Sequence, residues 1–103
     1  MEGRGLRTDK RYIREAVRAS VREVSRAPAR ERSAAFAKVL EAKGVRVDVP
    51  KGGGDLTFER VRSGTRVSGT KLGRGFSRPG IAHALGMAAA RTMARAIEEG
   101  LEA

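Results

Sequence analysis

The chain has 103 residues, with 22 Lys and Arg against 12 Asp and Glu, which gives a formal net charge of +10. This length suits one domain with a modest core, and the absence of cysteine excludes a disulfide framework and a thiolate zinc site. No apolar run reaches membrane-spanning length, and an excess of cations on so small a domain favours a polyanionic partner, nucleic acid before an anionic membrane. We therefore expect a cytoplasmic protein that contacts nucleic acid and no membrane.

The first predicted element is a helix with one apolar and one basic face. Residues 1–8 show no apolar period and are predicted to form a flexible basic arm, whereas residues 9–103 are predicted to form one domain. Thr8 or Asp9 is the expected helix cap. Apolar residues then recur at three- and four-residue spacing, which indicates a buried face. A row of arginines four residues apart, Arg14, Arg18 and Arg22, is a face that either tracks phosphates or is simply solvated.

A second helix and three short strands follow. Ala27-Pro28 ends the first helix, and the second helix is predicted to run to Lys43 and stop at Gly44, a residue suited to a left-handed cap. The strands are marked by apolar residues that alternate with polar ones. The glycine-rich link at residues 51–54 lacks the Lys-Ser/Thr pair of a P-loop, so a hairpin tip is expected there. The predicted inner face of the sheet consists of Val45, Val47, Leu56, Phe58 and Val67.

The last element is a helix predicted from Ser77, a good N-cap, to about Leu101. The complete order is α-α-β-β-β-α. It predicts an α+β fold, in which a three-stranded antiparallel meander has helices packed on one face.

The segment from Arg60 to Ile81 holds most of the candidate binding residues. Gly69, Gly73 and Gly75 surround two cations before a helix start, where backbone amides left bare by glycine suit a phosphate. Cations and hydroxyls on a narrow two-stranded ribbon also suit successive phosphates. Charge that protects a sheet edge from other chains is the competing interpretation. The complete set of candidates is Arg60, Arg62, Arg66, Thr70, Lys71, Arg74, Ser77 and Arg78, together with Arg14, Arg18 and Arg22.

The order of these motifs resembles the accessory region that follows the nuclease core of plasmid relaxases, the mobilisation proteins of conjugation. The resemblance covers roughly residues 10–85, and its most specific part is the run Gly-Thr-Lys-Leu-Gly-Arg. The matching motifs are Gly44-Val45-Arg46-Val47, Leu56-Thr57-Phe58, Ser68-Gly69-Thr70-Lys71-Leu72-Gly73-Arg74 and Phe76-Ser77. Because the nuclease itself is missing, the resemblance implies handling of transfer DNA without cleavage, and it suggests a relaxosome-type protein partner.

No catalytic set can be assembled from the sequence. His83 is the only histidine, so no histidine pair exists for a metal or a proton relay. Tyr12 is the only tyrosine and is expected at the rim of the core. We therefore expect a non-enzyme that needs no metal or other cofactor. The scarcity of aromatic residues also argues against stacking of single-stranded bases on exposed rings.

Two alternative functions remain open at this point. The order α-β-β-β-α over residues 29–101 is similar to a double-stranded-RNA-binding domain. However, the lysine cluster that this family has at the start of its closing helix is reduced here to Arg78. The second alternative is a protein-interaction module, in which the alanine-rich last helix forms a homodimer or binds a partner and the basic face meets an acidic protein.

Overall fold

The computed structural model describes residues 2–50, 54–86, 95, 97 and 98. It confirms the predicted α+β order, with two helices, a three-stranded antiparallel sheet and a closing helical segment. The elements are α1 (Glu2–Val24), α2 (Ala29–Ala42), β1 (Val45–Asp48), β2 (Thr57–Arg60), β3 (Thr65–Ser68), a single turn α3 (Gly69–Leu72), a 3₁₀ turn (Arg74–Phe76) and α4 (Arg78–Ala84).

The sheet has the strand order β1-β2-β3, and its register separates an apolar face from a charged one. Val47 lies opposite Phe58, which lies opposite Val67, and all three side chains are buried. The five residues predicted for the inner face are all in the core. The next rung, Arg46, Glu59 and Arg66, points to the other face because successive side chains of a strand alternate.

The core lies between this inner face, α1 and α2. The apolar stripe of α1 contributes Ile13 and Val17, and α2 contributes Phe36 and Leu40, each at most 2% exposed. Gly44 ends the second helix with φ of +81°, as predicted, and Gly64 in the β2–β3 turn has φ of +74°. Both positions favour glycine because a Cβ atom is strained in the left-handed region.

The beginning of α1 differs from the prediction. The helix starts at Glu2, so residues 2–8 are helical and do not form an arm without regular structure. Asp9 is therefore not a helix cap. It lies inside α1 and is only 7% exposed, because it faces the sheet and has partners there.

The closing helix also differs from the prediction. Its start is right, because the Ser77 hydroxyl oxygen accepts a hydrogen bond from the Gly80 amide. Its continuity is wrong, because α4 ends at Ala84 and Gly86 takes φ of +72°. Residues 95, 97 and 98 are again helical. Residues 87–94, 96 and 99–103 of the predicted helix, and 51–53 of the predicted hairpin tip, lie outside the described residues.

None of the helices in the described part of the chain is both long enough and apolar enough to cross a bilayer.

Candidate nucleic-acid interface

Arg60, a candidate for phosphate binding, forms an internal ion pair instead. Its Nη1 lies 2.9 Å from Oδ1 of Asp9, with the two side chains only 18% and 10% exposed. The guanidinium also lies over the ring of Tyr12, with 4.0 Å from its central carbon to the ring centre. The hydroxyl of Thr65 donates to Asp9 Oδ2 at 2.6 Å. These four residues, which we term the hairpin cluster, join α1 to the β2–β3 hairpin.

The hairpin cluster keeps its carboxylate ionised. The hydrogen bond from the Thr65 hydroxyl lowers the pKa of Asp9 most, burial opposes it, and the hydrogen bond and charge of Arg60 add to the lowering. Because the negative charge and the Arg60 cation are paired in the fold, a phosphate would have to compete with Asp9 for this guanidinium. Arg60 therefore has a structural role, and its assignment as a binding residue stays a prediction.

The outer face of the sheet balances its own charge. Arg66 lies on the face of the sheet opposite to that of Val67, as the alternation predicts. However, its guanidinium pairs with Asp48 at 2.9 Å and lies 4.0 Å from Glu59. Together with Arg46, this face carries two cations and two carboxylates. Arg62 is exposed in the turn. The hairpin thus offers one unpaired arginine to a ligand where three were expected.

The loop after β3 is held by the carboxylate of Asp55. This carboxylate accepts hydrogen bonds from the Thr70 amide and hydroxyl, from the Arg78 amide at 3.1 Å and from the Leu56 amide at 3.0 Å. Burial raises the pKa of Asp55, but these hydrogen bonds outweigh it and hold the pKa below its ordinary value. Thr70 therefore serves the fold, and its hydroxyl is already committed to Asp55.

Ser77 and Arg78 also have structural roles. The Ser77 hydroxyl donates to the Arg74 carbonyl at 3.1 Å while it caps α4. The Arg78 side chain is half-buried, and its Nη2 lies 3.4 Å from the carbonyl oxygen of Pro50. Neither side chain is presented to a ligand in the way that the sequence predicts.

Close packing explains the glycines of this loop. A Cβ on Gly69 would lie 1.9 Å from the Phe76 carbonyl oxygen, and one on Gly80 would lie 2.6 Å from the Arg74 carbonyl oxygen. The amides of Gly69, Gly73 and Phe76 donate to backbone carbonyls of the chain itself. The prediction of bare amides that cradle a phosphate is therefore wrong for these positions.

The basic row of α1 and the same loop come together at a groove. The Arg14 side chain donates through Nε to the Leu72 carbonyl at 2.8 Å, and the Arg18 guanidinium carbon lies 5.5 Å from the centre of the Phe76 ring. Between α1 and the loop is an open depression of about 470 Å³, which we term the cationic groove. It is lined by Arg14, Val17, Arg18, Val21, Leu72, Gly73, Arg74, Gly75, Phe76, Ile81 and Ala84.

The described residues place no carboxylate next to the charges of the cationic groove. In this part of the chain its lining contains three arginines and no Asp or Glu. The two acidic residues of α1 nearest the row are engaged elsewhere, Glu15 with Arg11 and Glu23 with Lys43. Exposed Arg22 continues the row, and exposed Lys71 lies on the loop. The structure therefore brings Arg14 and Arg18 together with Arg74, which the sequence alone does not show.

Sequence analysis named Asp9 only as a helix cap and did not single out Asp55, although these two carboxylates organise this region. Their partners lie far along the chain, 51 and 56 residues away for Asp9 and 15 and 23 residues away for the Thr70 and Arg78 partners of Asp55. No local spacing marks such contacts.

Comparison with protein-family models, with curated proteins and with solved structures gives no match to this chain. Among the described residues, no three His, Asp or Glu side chains lie close enough together to hold a metal ion.

Proposed function

We propose that this domain binds duplex nucleic acid, with DNA preferred to RNA, and that it does so without catalysis through α1 and the cationic groove. The observation that carries the proposal is the convergence of Arg14, Arg18 and Arg74 on one groove, whose lining has no carboxylate among the described residues. Guanidinium groups in such a setting bind phosphate oxygens with charge-assisted hydrogen bonds.

The geometry of α1 supports contact with several phosphates. Residues four apart rise about 6 Å along a helix and stay on one side of it, so Arg14, Arg18 and Arg22 form a stripe. A row of single-signed charges along a rod-like element follows a strand backbone and carries no base information. This arrangement predicts affinity without strong sequence selectivity.

The resemblance to the accessory region of relaxases supports DNA as the partner and suggests a role in mobilisation. In that role the domain would hold transfer DNA next to a nuclease that this chain does not contain, in the cytoplasm and together with other proteins. The sheet and α4 would then serve as a scaffold for the groove. This assignment is a proposal that rests on the motifs between Gly44 and Ser77.

The decisive experiment compares two doubly substituted proteins that lose the same charge. Arg18→Ala with Arg74→Ala removes two groove arginines, whereas Arg30→Ala with Arg46→Ala removes two exposed arginines of α2 and the sheet that lie outside the groove lining. Because each lost phosphate contact reduces the slope of log affinity against log salt by about 0.9, the groove variant should lose about 1.8 and the control should keep the slope. Fluorescence anisotropy of a labelled duplex at several salt concentrations measures both.

Equal losses in the two variants would show that net charge alone attracts DNA. A complete lack of DNA binding by the unsubstituted protein would favour the protein-interaction module, which light scattering after size exclusion would then test for dimers. Competition between DNA and RNA duplexes of equal length separates the preferred partner from the double-stranded-RNA alternative, since only RNA offers 2′-hydroxyl groups in a wide minor groove.

A further inference from the structure

We infer that the cationic groove holds one unpaired nucleobase next to the bound phosphates, so that the domain prefers a duplex with an extra, unpaired nucleotide to a fully paired one. This inference rests on the proposed function and adds to it the structural feature of the nucleic acid that is recognised.

The walls of the groove are the first argument. Besides its arginines it is lined by side chains of Val17, Val21, Phe76, Ile81 and Ala84. A phosphate backbone alone gains nothing from such walls, because a hydrated anion is not stabilised by apolar surface. An apolar depression with cations on it suits a ligand that joins a flat, weakly polar body to an anion. A nucleotide that has left the base stack has this composition.

The size and the rim of the groove agree with this occupant. A volume of about 470 Å³ lies within the range of roughly 300–1,000 Å³ that is usual for small-molecule pockets. On the loop side the lining includes the backbone of Gly73 and Gly75, and a Cβ built on Gly75 would meet nothing within 4 Å. The loop therefore leaves room for a base at this edge.

The Arg18 guanidinium offers a surface for the base itself. It is held over the ring of Phe76, which is only 8% exposed, so the aromatic ring supports the arginine instead of being a platform. Guanidinium planes stack on bases as well as bind phosphates. Exposed Arg74 remains for a neighbouring phosphate, and the terminal nitrogens of Arg14, whose Nε is bonded to the Leu72 carbonyl, can add a second contact.

The expected preference follows from the cost of removing a base from a duplex. Extrusion of a paired base breaks both pairing and stacking, and the cost is least for a base that is already unpaired. A groove that stabilises an extruded base therefore binds a bulged duplex more tightly than a fully paired one. Burial or stacking of one base corresponds to about a tenfold change in affinity.

The test uses three labelled DNA duplexes of the same sequence: fully paired, with one unpaired thymidine, and with an abasic nucleotide in its place. The abasic duplex has the same phosphates as the bulged duplex but no base. We expect the protein to bind the thymidine bulge about tenfold more tightly than either of the others.

Ala84→Trp, at an exposed position that lines the groove, should reduce the ratio of bulged to paired affinity to about one, because it fills the space for the base. Ala42→Trp, at an exposed position on α2 outside the lining, should keep the ratio, and thermal unfolding checks that both variants fold.

The outcomes separate this inference from the proposed function. Equal, salt-dependent binding of all three duplexes overturns the inference and keeps the proposed function. Lack of binding to any duplex overturns both. Equal binding of the duplexes combined with binding of an amphipathic Leu/Glu helical peptide that Ala84→Trp abolishes would overturn the inference in favour of an acidic protein partner for the groove.

Discussion

The arginines of the β2–β3 hairpin and those of α1 and the following loop look alike in the sequence but differ in what they can bind. Arg60 and Arg66 of the hairpin are paired with Asp9 and Asp48, whereas Arg18 and Arg74 border a groove in which no described residue supplies a carboxylate. The comparison shows that a surplus of formal charge does not say which cations are available. Availability depends on where the few carboxylates of the chain lie after folding.

The physical reason is the different cost of exchanging partners. Removal of Arg60 from Asp9 would leave a charge uncompensated in a site shielded from water, which is strongly unfavourable. An exposed arginine on α1 exchanges only water and mobile counterions for a phosphate, and release of counterions drives binding. Arg60 therefore stabilises the fold, whereas the exposed Arg18 and Arg74 can bind a phosphate.

The most direct test of this difference between the two sets of arginines is to remove the carboxylate of the hairpin cluster. Asp9→Ala should lower the free energy of unfolding by about 3 kcal/mol, the lower end for a broken buried ion pair, because Arg60 keeps some access to water. Chemical denaturation measures it. Arg74→Ala is the matched groove variant and should change stability by less than about 0.5 kcal/mol. If Asp9→Ala is as mild as Arg74→Ala, the hairpin cluster is not structural.

A second prediction concerns the glycines of the loop. Gly69→Ala should destabilise the protein by about 1–3 kcal/mol, because its Cβ would overlap the carbonyl group of Phe76 and the backbone must move. Gly75→Ala is the control and should be nearly neutral, since its Cβ meets open space. Equal melting temperatures for the two variants would contradict the packing role that we assign to Gly69.

The smallest predicted effect concerns the pH dependence of the protein's stability, which tests the role of Asp55 in holding the loop. Asp9 and Asp55 both have a pKa below the ordinary value of 3.8 in the folded protein. Their contribution to stability is therefore complete above that value and is lost as the pH falls through the lowered folded-state pKa values. Asp55→Asn should cost about 1 kcal/mol at neutral pH, through loss of charge-assisted hydrogen bonds.

The measurement is the melting temperature from neutral pH down to about pH 3. The Asp55→Asn protein should show a shallower decline than the unsubstituted protein, because one of the two groups that take up a proton on unfolding is gone. A decline of unchanged steepness would mean that Asp55 is not the group responsible.

Local patterns were sufficient for most of the secondary structure. The alternation of Val45, Val47, Phe58 and Val67 predicted the buried face of the sheet, and Gly44 and Ser77 marked the helix boundaries correctly. The end of α4 was missed because the alanine-rich sequence on both sides of Gly86 favours helix. In the structure, Gly86 instead takes a positive φ.

The candidate site was predicted less well, since it depends on contacts between distant residues. The row Arg14, Arg18 and Arg22 was visible as a period of four, and Arg74 as part of a basic loop. Nothing in the spacing showed that Arg14, Arg18 and Arg74 meet at one groove, or that Thr70 and Ser77 already have hydrogen-bond partners within the fold.

By itself, the sequence determined the order of helices and strands and the strong positive charge, because periodicity, turn residues and composition act over a few neighbouring positions. Which charges form ion pairs within the protein, and which are left for a ligand, depends on the tertiary structure. Ion pairs and packing contacts join residues up to 56 positions apart, and they form only when the chain has brought α1, the hairpin and the loop against one core.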